Sequence, residues 1–117
     1  ITVENISSMV PMKLTHTNFT QWKWLFLPVL KKYSVQGLVD GTEICPPAFL
    51  LDKNGKISNH VNPAFEKWMD RDQSVMVWLK SRISEDLLSY TIGASSSRAL
   101  WMALEKLVVD ASHSHFS

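Results

Sequence analysis

"NFTQWKWLFLPVLKKY", residues 18–33, is the stretch on which the fold turns. At 100° per residue, Phe19, Trp22, Leu25, Phe26, Val29, Leu30 and Tyr33 fall within an arc of roughly 140°. That is the core face of an amphipathic helix. Thr15, Thr17 and Asn18 precede it and are good capping residues, so the helix is expected to start near Phe19. Two large apolar residues are left over. Trp24 and Leu27 lie off the core arc, beside Lys23, Lys31 and Lys32. Pro28 removes the amide that would bond the Trp24 carbonyl, which costs about 3 kcal/mol in a helix interior and favours a kink. Trp24 and Leu27 are therefore expected to be covered by residues 8–14 or to remain open as a contact surface.

Upstream, Val10, Met12 and Leu14 alternate with Pro11 and Lys13. This is the pattern of an extended arm with one apolar side. Downstream, a short helix is expected over 34–39, closed by an Asp40-Gly41 turn. Residues 41–62 are the least regular part. Pro46-Pro47 blocks helix, and Asn54-Gly55 signals a tight turn between Phe49-Leu50-Leu51 and Ile57. A loop with a turn is favoured there over a small hairpin.

Asn62-Pro63 marks a helix start, cap first and proline at the first helical position. Phe65, Trp68, Met69, Val75, Met76, Leu79 and Ile83 then share one face. Asp72 points into the middle of it. A carboxylate in such a place needs hydrogen-bond donors. The expected role is a structural acceptor for a tryptophan indole or a backbone amide of a neighbouring segment. Ser84-Glu85-Asp86 introduces a further helix over 87–92, ended by Gly93. Ser95-Ser96-Ser97 opens the last one, with Leu100, Trp101, Leu104, Leu107 and Val108 on its inner face. Trp78 falls off its stripe and is expected to be more open than Trp22, Trp68 and Trp101.

The expected fold class is therefore all-α: a compact bundle of about five helices with an extended N-terminal arm and one irregular loop near 41–62. The expected boundaries are an arm over 1–17, a helical domain over 18–110 and a tail over 111–117. Phe19, Trp22, Phe26, Leu30, Trp68, Asp72, Leu79, Trp101 and Leu104 are the predicted structural core. Trp24, Leu27, Lys23, Lys31 and Lys32 form the candidate interaction surface.

The 117 residues suit one domain. Twelve basic residues against eleven acidic ones give a net charge of +1, so general attraction to a phosphate backbone is weak. Lys23, Lys31 and Lys32 beside Trp24 are the nearest thing to a basic patch, and a nucleic-acid-binding helical module is the alternative reading they support. The single cysteine, Cys45, excludes an internal disulfide and leans toward a reducing compartment. No apolar run is long enough to span a membrane. The opening Ile-Thr-Val-Glu has neither an initiator Met nor a signal-peptide pattern, as expected of a piece of a longer chain.

Chemistry is hard to find. His16, His60, His113 and His115 do not combine with Cys45 at a zinc-ligand spacing. Residues 52–56 lack the acidic ladder and closing Glu of a calcium loop. There is no glycine-rich phosphate loop and no nucleophile–base signature. The expectation is no enzyme, no cofactor, no metal and no small-molecule substrate.

Three segments taken in order are more specific than any one of them. "VPMKLTHTNFTQWKWLFLPVLKKYSVQGLVDGT" resembles the start of Gag polyproteins of plant copia-type LTR retrotransposons. The resemblance rests on the Pro-x-Lys-Leu arm, on Asn18, Phe19 and Trp22, and on Val39-Asp40-Gly41. "WMDRDQSVMVWLKSRISEDLL" is similar to that family at Trp68, Asp72, Trp78, Leu79 and residues 83–88. "SSSRALWMALEKLV" is similar at Trp101, Leu104, Glu105 and Leu107. The match covers about residues 8–109. The resemblance implies the N-terminal helical part of a capsid-like region. Such a piece would contribute to self-assembly of cytoplasmic virus-like particles that package element RNA, as a homo-oligomer in the full-length parent, with weak RNA contact and no membrane. A domesticated Gag-derived interaction domain is a further alternative. Trp24 departs from the family pattern, where a polar residue is more usual. The zinc knuckle and the second half of the capsid-like region are absent, so zinc binding and strong RNA packaging do not carry over.

Overall fold

A computed structural model describes residues 3–116, and the side chains of residues 5–107. The order is α1 (Val3–Met9), α2 (Phe19–Lys32), α3 (Gln36–Asp40), β1 (Phe49–Leu51), β2 (Ile57–Val61), α4 (Pro63–Ser81), α5 (Glu85–Leu88) with a 3-10 turn over Ser89–Thr91, and α6 (Ser97–Phe116). The all-α expectation is thus corrected. Among the described residues there are six α-helices, and a two-stranded antiparallel sheet lies between α3 and α4.

The sheet lies in the stretch expected to be a loop. Its turn is set by Asp52, whose Oδ1 accepts from the amides of Asn54 and Lys56, and by Gly55 at φ +79°. That left-handed backbone favours glycine. Phe49 then pairs with Val61 and Leu51 with Ile57, with a register irregularity between them. The pairing is worth forming because all four side chains are apolar and stand opposite one another.

The arm is corrected in its first half. Residues 3–9 are helical, and Ile6, Met9 and Val10 turn inward at the i, i+3, i+4 spacing of a helix face. A single short turn of that kind is too brief to register as periodicity. Residues 10–14 follow as an irregular segment with bends at Val10 and Met12, in which Val10 and Leu14 are buried and Pro11 and Lys13 exposed. Leu14 forms a parallel bridge with Ile83, donating its amide to the Arg82 carbonyl at 2.8 Å and accepting from Ser84 N at 3.0 Å. The Arg82 guanidinium, itself buried, donates to the carbonyls of Val10 and Pro11 at 2.9 Å each. One residue at the C-terminal cap of α4 therefore holds the arm through both its main chain and its side chain.

Helix α2 continues without a break through Pro28, and a left-handed Ser34, φ +57°, follows its C-terminal cap. Val35 N reaches Leu30 O and Ser34 N reaches Lys31 O, the Schellman pattern, with Leu30 and Val35 both buried beneath it. Lys31 and Lys32 occupy the last turn, where positive charge complements the helix dipole. In the turn after α3, the Thr42 hydroxyl and amide hold the Asp40 carboxyl below the usual carboxylate range. Asn62 caps α4, its Oδ1 accepting from Ala64 N. Ser96 caps α6, its Oγ accepting from Ala99 N.

The core lies between α2, α4 and α6. Trp22 is at its centre, fully buried, 4.9 Å from the Phe26 ring and 5.7 Å from the Trp101 ring, with Phe19 at 6.3 Å. Its indole N–H donates to the Arg82 carbonyl at 2.8 Å. Asp72 is 1% exposed. Its Oδ1 accepts from Ser97 N at 3.1 Å, and the Ser97 hydroxyl donates to the Asp72 carbonyl at 2.9 Å. The carboxylate thus meets the first turn of α6, where negative charge is favoured. Trp78 corrects another expectation, being buried rather than open. Tyr33 stands edge-on to it at 6.0 Å, and α1 packs on α4, so α4 is covered over a wider arc than its main stripe.

Helix α6 continues through the positions 111–116 that the sequence reading assigns to a tail. The side chains there, including His113 and His115, and all of Ser117 lie outside the described residues.

Candidate functional site

The residues that the sequence brings forward as an interaction surface share one helix but not one environment. Trp24 is 76% exposed, more open than Tyr90, Phe49 or Tyr33. Thr20 and the indole separate two shallow grooves. One, of about 320 Å³, is lined by Phe19, Lys23 and Leu27. The other, of about 360 Å³, is lined by Met12, Gln21 and Leu25. The arm reaches this region through Met12 and does not cover Trp24. Leu27 is half-buried and packs on the core.

The three lysines are differently engaged. Lys23 pairs with Glu105 of α6 at 3.5 Å and sits 5.7 Å from the Phe19 ring centre. Lys32 sits 5.9 Å from the Tyr33 ring centre. Lys31 is exposed at the helix end. An exposed pair such as Lys23–Glu105 contributes about 0–1 kcal/mol, so it orients the side chains more than it stabilises the fold. The groove beside Trp24 is accordingly apolar in its walls with a largely neutralised rim.

The predicted core residues stand elsewhere. Trp22, Phe26, Leu30, Asp72, Leu79, Trp101 and Leu104 are buried, and Phe19 and Trp68 are half-buried against the core. Trp68 has a second task. Its indole N–H donates to the Glu43 carbonyl at 3.1 Å. One turn on, Arg71 makes a two-pronged ion pair with the Glu43 carboxylate and donates to the Ser34 carbonyl. These bonds moor the start of the 41–62 segment to α4.

That segment carries a surface the sequence reading did not single out. Phe49, Leu51, Ile57 and Val61 share one face of the hairpin, and all four are exposed. The signal was present as Phe49/Leu51, two apart, and Ile57/Val61, four apart, on either side of Asn54-Gly55. It was obscured by the intervening Leu50, which breaks the alternation. A groove of about 470 Å³ runs along Pro47, Phe49, Leu51 and Ile57.

Among the described residues, no cluster of three or more His, Cys, Asp or Glu is placed to hold a metal ion, and no helix is long and apolar enough to cross a membrane. Cys45 is exposed and its thiol lies 3.4 Å from the Pro46 carbonyl.

No family model matches the chain, and no solved structure matches it. The chain is similar to two curated proteins of Arabidopsis thaliana, the Retrovirus-related Pol polyproteins from transposons RE1 and RE2. It is 24% identical to each over 111 residues, which is 95% of this chain and 7% of the relative. The chain thus spans about 7% of the length of the curated relatives it matches, and along nearly all of its own length it is a retrotransposon-related protein.

Proposed function

We propose that this chain is the N-terminal helical part of the capsid-like region of a copia-type Gag polyprotein. Its role is structural, as a subunit of cytoplasmic particles that enclose the element RNA, and it performs no catalysis. The observation that carries the self-association part of this reading is Trp24, an indole left 76% open between two apolar grooves on a helix whose opposite side is sealed in the core. Removing such a surface from water is the general driving force for association. Similarity to retrotransposon polyproteins along the chain supports the same reading. The mechanism is repeated weak contact between identical subunits, and heterologous contacts of that kind close into rings or shells.

Trp24→Ser tests the surface role. Its expected effect on stability is within about 0.5 kcal/mol, as for an exposed position, while assembly of the full-length parent weakens. Chemical denaturation of the chain and light scattering of the parent read the two effects. A stability loss of several kcal/mol would show Trp24 to be a packing residue and remove it from the contact surface.

A further inference from the structure

The hydrogen bonds that fasten the arm to the end of α4 centre on Arg82. Its side chain is buried, and the guanidinium donates from Nε to the Val10 carbonyl and from Nη2 to the Pro11 carbonyl, at 2.9 Å each. A third bond, from Nη1 to the Ser81 carbonyl, is long at 3.4 Å. A buried charge is ordinarily met by an opposite one. Neither ion pair among the described residues includes Arg82. The carbonyls of the arm take that part instead. On the main-chain side, Arg82 O accepts from Leu14 N and from the Trp22 indole, and Ser84 N donates to Leu14 O.

We infer that the arm is a strap that opens as a unit while the rest of the domain stays folded, and that Arg82, by seating it, shapes the groove beside Trp24. Two features make the strap separable. Helix α1 has seven residues, too few to stay helical alone in water. It keeps its form only while Ile6, Val10 and Leu14 are seated in the core. Opening also returns the Arg82 guanidinium to water. That regained hydration offsets part of the apolar burial that is lost. The strap therefore lifts more easily than its three buried side chains alone would set. Units of this kind open below the free energy of global unfolding.

The link to Trp24 is Met12. It lies between Pro11, which Arg82 holds, and Leu14, which the bridge to Ile83 holds, so its place is fixed from both sides. Met12 is half-buried and forms a wall of the groove of about 360 Å³ that Gln21, Trp24 and Leu25 also line. With the strap seated, the groove has an apolar wall on that side. With the strap lifted, that wall is gone and the indole stands on a plain helix face. Arg82 lines neither groove beside Trp24, so it acts on the contact surface through Met12, as a positioning residue. The inference rests on the Trp24 contact proposed above and adds a means of controlling it.

Native-state hydrogen exchange of the 117-residue chain, resolved by residue with NMR, tests the strap. The amides of Leu14 and Ser84 should exchange at least about tenfold faster than those of Phe26, Leu30 and Leu79, through an opening smaller than global unfolding. Equal protection at all of these amides would overturn the inference. Arg82→Met keeps an apolar stem and the main-chain carbonyl and removes the donors. It should speed exchange at Leu14 and Ser84 about tenfold further and leave the three helix amides nearly unchanged. A variant that loses protection everywhere, or fails to fold, would make Arg82 a residue of the core at large and overturn its role as the latch. So would one whose strap amides are as slow as in the wild type. Light scattering of the full-length parent reads the link to the groove. Arg82→Met should weaken assembly several-fold, as Trp24→Ser does. If Trp24→Ser weakens assembly and Arg82→Met does not, the link falls and the contact stands. If assembly is indifferent to Trp24→Ser, the contact falls and the link with it, while fast exchange at Leu14 and Ser84 still establishes the strap.

Discussion

Trp22→Ala is expected to lower stability by about 4–5 kcal/mol, the upper part of the range for removing a buried aromatic side chain. Trp22 is fully buried, touches the rings of Phe26 and Trp101, and donates to the Arg82 carbonyl. Its loss opens a cavity at the meeting point of three helices. It also removes one of two donors from the carbonyl that holds Leu14, so the arm loosens with the core. A domain of this length has a stability of roughly 6–17 kcal/mol at ~0.05–0.15 kcal/mol per residue, so the variant loses a large fraction of it. Trp22→Phe separates the two contributions. It keeps a ring in the stack and removes the N–H, for a cost of about 1–2 kcal/mol. Urea denaturation measures both. A cost below about 1 kcal/mol for Trp22→Ala would mean that the aromatic cluster is not the centre of the core.

The second large effect is at Asp72. Asp72→Leu is expected to cost about 2–4 kcal/mol, because it strands the Ser97 amide in the interior and removes negative charge from the first turn of α6. Asp72→Asn keeps an acceptor for that amide and loses only the charge, so its cost should be about 1 kcal/mol. The ordering distinguishes a structural acceptor from a group kept for chemistry. Equal stability of wild type and Asp72→Leu would contradict the structural role.

The positions of these two residues could be read from the sequence because a long helix repeats its pattern. Trp22, Phe26 and Leu30 recur at one helical spacing, and Asp72 breaks a stripe that is otherwise apolar from Trp68 to Leu79. Asn62-Pro63 and Ser95-Ser96-Ser97 placed the starts of α4 and α6 by local chemistry alone. What stayed hidden depends on neighbours distant in sequence. Asp72 could be expected to find a donor, but only the fold could choose the Ser97 amide over an indole. The Trp22 indole went instead to Arg82, sixty residues away. Arg82 carries no local signal in the sequence, yet its guanidinium is buried against the carbonyls of Val10 and Pro11. Helix α1 was too short to show a period, and the ring that stands against Trp78 is Tyr33, from the end of α2. The hairpin ranked below a loop because a three-residue strand with apolar side chains on both faces has no alternation to detect.

The candidate surface divided along the same line. Helical spacing was enough to set Trp24 apart from Trp22. It could not show that Lys23 is drawn to Glu105, or that the arm stops at Met12. A further exposed apolar face came from strand pairing, which brings residues 49 and 61 together.

The central claim is that the chain is a self-associating structural piece. Size-exclusion chromatography with multi-angle light scattering on the full-length parent polyprotein tests it most directly. The account predicts a mass that rises with concentration beyond that of the monomer. A strictly monomeric parent at concentrations on the order of 100 μM, where even weak transient contacts are populated, would contradict it.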